Sequence, residues 1–241
     1  MVFRPVRAGN AFEETSQRLL QAIRLGLVAP GERLPTEREL AVRFGISRVT
    51  LREAVRALQR AGFIESRRGR YGGTFVARSL PPRGGQNPQT MARRMGADLD
   101  DALTMRHVLE TGMAEAAALR MAARRATDPE RDTETEQDLR RRLAETVAAA
   151  PADYWRHDSR LHLAIAEAAG SPSLTSAVAD VRMRINELLD AIPLLDPNIA
   201  HSNDQHAAIV AAVLAGDGQG ARREMAEHLS ATASLLRGFL E

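Results

Sequence analysis

Three histidines and one aspartate carry the spacing that could hold a metal ion. Asp158 and His162 stand four residues apart in HDSRLHLAIAEAAG. With Tyr154, Leu161, Ile165 and Ala168 they follow the i, i+3, i+4 rhythm of a helix's inward stripe. A buried carboxylate needs a pair, hydrogen bonds or a cation, and a buried imidazole needs partners too. An Asp–His hydrogen bond inside a bundle would satisfy both. His206 and His228 tip the balance towards an ion. His206 leads a stripe with Ile209, Val210 and Val213, and His228 lies among Met225, Leu229 and Thr232. Asp217, in AGDGQG, is eleven residues from each, and in an antiparallel helical hairpin residues equidistant from the turn sit side by side. Three imidazoles and one carboxylate suit a borderline divalent metal: Zn²⁺ first, then Ni²⁺ or Mn²⁺. His107, His157 and His201 read as ordinary, His157 lying one position off the inward stripe.

Arg106 shares the stripe Leu99, Leu103, Leu109, Met113. It can pair with Glu110 at i+4, or its planar fork can clamp a carboxylate ligand.

A second constellation is built from arginines. In PTERELAVRFGISRVTLREAVRALQRAGF, Thr36 and Glu39 have capping-box spacing, and the helix they start stops at Gly45. Ser47 can cap a second helix, with Leu51, Val55 and Leu58 inward and Arg48, Arg52 and Arg56 recurring on another face. Two short helices joined by a tight turn make a helix-turn-helix, whose second helix enters the major groove. Arg48, Thr50 and Arg52 are the candidates for base edges, although a solvated arginine face is the plainer reading of such a stripe. The following FIESRRGRYGGTFV alternates around a glycine-rich turn as a β-hairpin does, placing arginines at the tip of a wing.

The elements that position these residues are nearly all helical. Aromatics make up only 4% of 241 residues while Ala and Leu abound, which favours helices packed through small side chains. Helical patterns fall near 10–27, 36–44, 47–61, 88–95, 99–125, 130–149, 151–169, 172–190, 202–215 and 218–240. The expected architecture is mostly α: an N-terminal winged helix-turn-helix over 1–78, a Pro- and Gly-rich linker over 79–89, and a C-terminal antiparallel bundle of six or seven helices over 90–241. The chain contains neither cysteine nor lysine, so thiolate sites, disulfides and cysteine nucleophiles are excluded. Residues 1–83 carry a net +9 and the remainder −7, a basic front and an acidic back with different partners. Neither an apolar leader nor a membrane-length apolar run is present, so the expected setting is the cytoplasm.

GERLPTERELAVRFGISRVTLREAVRALQRAGFIESRRGRYGGTFV resembles the winged helix-turn-helix of the GntR family of bacterial transcription regulators. The resemblance implies that Arg38, Arg48 and Arg52 contact DNA, that Thr50 supplies the recognition-helix hydroxyl, and that Gly69 is the wing glycine. Val49 and Arg70 fall at variable positions, Arg70 within the DNA-facing wing. TMRHVLETGMAEAAALRMA, HDSRLHLAIAEAAGSP and DQHAAIVAAVLAGDGQGARREMAEHL are similar to the helical ligand-binding (FCD) domain of the FadR subfamily. That likeness implies metal ligation by Asp158, His162, His206 and His228, with Arg106 lining a pocket for a small carboxylate. Leu161 and Gly170-Ser171-Pro172 depart from the commoner Phe and Gly-Asn-Pro, which bears on pocket shape. The resulting expectation is a homodimeric repressor on a pseudo-palindromic double-stranded operator, controlled by a carboxylate at the metal. A metal sensor is the alternative. An enzyme is disfavoured, because four protein ligands leave little open coordination and no separate buried base is evident.

Overall fold

In the computed structural model, residues 11–67, 69, 72–80, 88–127, 133–189 and 196–240 are described. The chain divides into two compact units, Met1–Gly85 and Gln86–Glu241. Of the segment read as a linker, residues 81–87 lie outside the described residues, as does Arg70.

In the first unit α1 (Ala11–Arg24), α2 (Glu37–Phe44) and α3 (Arg48–Arg60) precede a hairpin of β1 (Ile64–Arg67) and β2 (Gly73–Val76). Local chemistry sets the α2 and α3 boundaries. Glu39 N–H donates to Thr36 Oγ1 at 3.3 Å while Thr36 N–H donates to Glu39 Oε2 at 2.8 Å, which completes the capping box. Gly45 ends α2 at φ 67°, a left-handed conformation that glycine adopts without Cβ strain. Ser47 then caps α3 through Thr50 N–H at 3.1 Å. The strands pair antiparallel from Ile64↔Val76 to Arg67↔Gly73. Leu19, Ile23, Leu40, Phe44, Leu51, Val55, Leu58, Ile64 and Val76 form one buried core that fixes the hairpin against the helices.

The second unit contains α4 (Pro88–Thr127), α5 (Thr133–Val147), a 3₁₀ turn (Pro151–Asp153), α6 (Tyr154–Ala168), α7 (Pro172–Leu189), α8 (Asp196–Ala215) and α9 (Gly218–Leu240). Among the described residues it is therefore a six-helix bundle. Patterns expected as separate helices at 88–95 and 99–125 are one helix of 40 residues. Gly96 is the one glycine between the two patterns, and a single interior glycine costs only about 1 kcal/mol relative to Ala, too little to end a helix. Likewise α8 starts at Asp196 rather than 202, because Pro197 falls in a first turn, where its missing N–H costs nothing.

α4 packs against α6, α7, α8 and α9 and so forms the spine of the bundle. α6 buries Tyr154, Asp158, Leu161, His162, Ile165 and Ala168, the stripe expected from their spacing. No helix among the described residues is long and apolar enough to cross a membrane.

Candidate functional site

Asp158, His162, His206 and His228 converge from α6, α8 and α9, each fully or almost fully buried. One potential ligand atom from each lies within 4.8 Å of all the others. His206 Nε2 lies 3.1 Å from Asp158 Oδ1 and 3.3 Å from His162 Nε2. Donor atoms about 2.0–2.1 Å from one ion stand roughly 3.3–3.4 Å apart along a tetrahedral edge, so these separations fit a first-row divalent ion. The His162 Nε2 to Asp158 Oδ1 separation, 3.7 Å, is a little wider. The turn at Gly216-Asp217-Gly218 sets His206 beside His228, with ring centroids 4.5 Å apart and the rings tilted by 52°, in keeping with their equal distance from Asp217.

The surroundings leave the inward nitrogens of His162 and His228 as lone-pair donors. His162 Nδ1 lies 2.5 Å from Glu110 Oε2 and donates its proton there, so Nε2 carries the lone pair. Burial, reinforced by Arg182, pushes His162 down to about 4, which keeps the ring neutral at ordinary pH. His228 Nδ1 faces Gln205 Oε1 at 3.2 Å and Ser202 Oγ at 3.5 Å, while its Nε2 is buried without a hydrogen-bond partner. Burial, then His206 and His162, hold its pKa well below the usual imidazole value. An orphaned, neutral, buried nitrogen beside two other imidazoles and a carboxylate is the donor set a divalent cation needs.

Two arginines balance the carboxylates. Arg182, on α7, donates through Nη2 to Asp158 Oδ2 and through Nη1 to Glu110 Oε2 at 3.3 Å. Arg106 donates through Nε to Glu110 Oε1 at 3.1 Å. Burial alone would raise both acids. Arg106, His162 and Arg182 outweigh it at Glu110, and Arg182 with His162 and His206 outweighs it at Asp158, so both stay ionised. The i+4 pairing open to Arg106 is therefore present, yet its Nη1 remains buried without a hydrogen-bond partner.

Glu110 and Arg182 carry more of this site than their sequence context announces. Glu110 is more than a partner for Arg106, since it also orients His162. Arg182 lies on the buried stripe of Val178, Val181, Ile185 and Leu189, the same signal that singles out Arg106. His107 and His201 are exposed and His157 is half-buried, all outside the cluster.

In the first unit Arg38, Arg48 and Arg52 are exposed and Thr50 is half-buried. Arg52 does not project freely: Nη2 and Nε bond Glu37 Oε2 at 2.9 and 3.2 Å, tying α3 to α2. Arg38 and Arg48 have no such partner among the described residues. Thr50 Oγ1 lies 2.9 Å from Ser47 Oγ at the start of α3. Gly69 is exposed at the hairpin tip with φ 103°, a left-handed backbone that disfavours other residues. This surface offers guanidinium groups and a hydroxyl at the N-terminal end of a helix, the chemistry that reads base edges and phosphates.

Residues 12–76 match the family described as bacterial regulatory proteins, gntR family, and residues 101–231 match the FCD domain. A regulatory protein of Escherichia coli (strain K12) named for the L-lactate dehydrogenase operon is 31% identical over 237 residues, covering 95% of this chain and 87% of its own length. The HTH-type transcriptional repressor NanR of Cronobacter sakazakii is 30% identical over 237 residues, covering 94% and 85%. The solved structure of Escherichia coli McbR/YncC matches with a TM-score of 0.53 and 18% identity, over 96% of this chain and 99% of that one. That likeness carries the fold alone.

Proposed function

This chain belongs to the bacterial regulatory proteins of the gntR family that carry an FCD domain, a DNA-binding transcription regulator, and from that premise we propose that it is an effector-controlled repressor of the FadR subfamily. In this reading a homodimer reads a pseudo-palindromic operator with Arg38, Arg48, Thr50, Arg52, Gly69 and the wing residue Arg70. Asp158, His162, His206 and His228 hold a divalent ion, Zn²⁺ foremost, and Arg106 engages a small carboxylate beside it.

The observation that supports this most directly is the buried, partnerless Nε2 of His228 facing two more imidazoles and Asp158. Charge balance supports an anionic effector. Asp158 and Glu110 are offset by Arg182 and Arg106, so a divalent ion adds two positive charges to a cluster of buried side chains. Burying such excess charge is costly unless an anion joins it, and Arg106 Nη1 is a donor awaiting an acceptor. When bound, the ion supplies a Lewis-acidic point of attachment for a carboxylate oxygen. The chain's own residues position that oxygen and exclude water from it. The relative named for the L-lactate dehydrogenase operon adds weight to a hydroxycarboxylate. Glu110, engaged by two arginines and one histidine, is not the free base an enzyme would require.

The test uses an operator selected by the wild-type protein from a random DNA pool. Affinity for it is measured with metal alone, with metal plus L-lactate or other small carboxylates, and with the His206→Ala variant. A carboxylate should change wild-type affinity by roughly 5–150-fold, the usual range of allosteric coupling, and leave the variant indifferent. An identical metal content in His206→Ala would overturn the ion site. Carboxylates without effect would overturn effector control, and a response to metal alone would make the ion itself the signal.

A further inference from the structure

Val49 is 66% exposed at the second position of α3. The outward stripe of that helix runs Val49, Arg52, Glu53, Arg56, Arg60, all of them exposed, so Val49 is its one apolar member. It belongs neither to the core that contains Leu51, Val55 and Leu58 nor to the half-buried side chains packed on that core. A β-branched residue is also a poorer helix former than alanine. The fold of the first unit therefore gains nothing from a valine here. Single apolar side chains do occur on protein surfaces, and Val42, 77% exposed on α2, is one. Val49 differs by its place.

That place is the N-terminal end of the helix that a helix-turn-helix lays in the major groove, where side chains meet base edges. Helical side chains lean towards the N-terminus of their own helix, so Val49 covers that end of α3. The first turn is fixed by Ser47 Oγ, which accepts from Thr50 N–H at 3.1 Å and lies 2.9 Å from Thr50 Oγ1. Arg52, one turn on, is held by Glu37 through Nη2 at 2.9 Å. Branching at Cβ restricts the side-chain torsion of Val49, so its two methyl groups keep a defined position. In the major groove of unmodified DNA the base edges present hydrogen-bond donors, acceptors and one apolar group, the C5-methyl of thymine. Against a donor or acceptor, valine would strip water from a polar edge and return no hydrogen bond. Against the thymine methyl it buries apolar surface at no such cost. One base is favoured and the others are penalised, which is how a contact selects.

We infer that Val49 is a specificity-determining residue that reads the C5-methyl group of a thymine in the operator. The inference rests on the DNA-reading role of α3 in the proposed function and adds the base chemistry that one of its positions selects. The arginines on either side supply attraction to DNA of any sequence. Loss of Val49 therefore relaxes sequence preference without abolishing binding.

The test takes the full-length protein and an operator that it selects from a random DNA pool. Each thymine of that operator is replaced in turn by deoxyuridine, which keeps the base pair and removes only the methyl group. At the thymine that Val49 meets, wild-type affinity should fall about fourfold, the worth of taking one methyl group out of water. Val49→Ala, whose lost methyl groups lie outside the core, should respond to uracil at that position no more than at any other. Val42→Ala should keep the wild-type pattern. A selection repeated with Val49→Ala should show a weaker preference at the same base pair. If no thymine is sensitive, or if Val49→Ala keeps the fourfold loss at the same base, the inference falls while the DNA-reading role of α3 stands. A wild-type chain that enriches no sequence from the pool would overturn the operator reading along with it.

Discussion

Glu110 accepts the Nδ1 proton of His162 on one oxygen, while Arg106 and Arg182 reach it with their guanidinium groups. Glu110→Gln keeps the shape and removes the charge. His162 then loses the partner that fixes its tautomer and raises its basicity. Replacing the outer partner of a metal-bound histidine typically weakens the ion by about 10–100-fold. A titration against a competing chelator should read that loss with all four ligands intact; unchanged affinity would remove Glu110 from the site. The convergence of the four candidate ligands is legible from spacing because each sits on a helical stripe and the two later histidines are equidistant from a glycine turn. Arg182 is harder to read. Its acceptors lie 24 and 72 residues away, on α6 and α4. A charged residue on an apolar stripe announces that a partner exists, and only the packing says which.

At the scale of elements, helix ends are legible where chemistry marks them and illegible where packing decides. The Thr36–Glu39 box, Gly45 and Ser47 delimit α2 and α3 within a residue of their sequence reading, because each is a local hydrogen-bond device. The joining of 88–95 to 99–125 is not local. α4 continues through Gly96 and packs on four other helices farther along. A cap is worth about 0.5–2 kcal/mol, and α2 has only eight residues over which to dilute its loss. Thr36→Ala should therefore destabilise the first unit by about 1 kcal/mol, read as a lower denaturation midpoint. The same change should lower operator affinity less than loss of a groove-facing arginine does, because Thr36 holds the helix in place without facing a base. A midpoint equal to wild type would mean that the short helix is held by Leu40 and Phe44 alone.

For the whole molecule, the division into two units has a thermal consequence. The first unit has its own apolar core from Leu19 to Val76, and every candidate metal ligand belongs to the second. An ion that binds only the folded bundle stabilises it by mass action, about 4 kcal/mol when its free concentration is a thousandfold above Kd. That free energy belongs to the bundle alone if the two cores melt separately. Calorimetry of the metal-loaded protein should then show two transitions, and a chelator should move one of them down by several degrees and leave the other in place. Removing the ion leaves three imidazoles and the Asp158 carboxylate packed together with no cation between them, so the shift should exceed that from an equally conservative surface change. The basic first unit, with its arginines and cap intact, should keep its own transition and its non-specific affinity for DNA through this treatment. A single transition moved as a whole by the chelator would instead show that the units melt together, and the effect of an effector on DNA would then need no separate element to carry it.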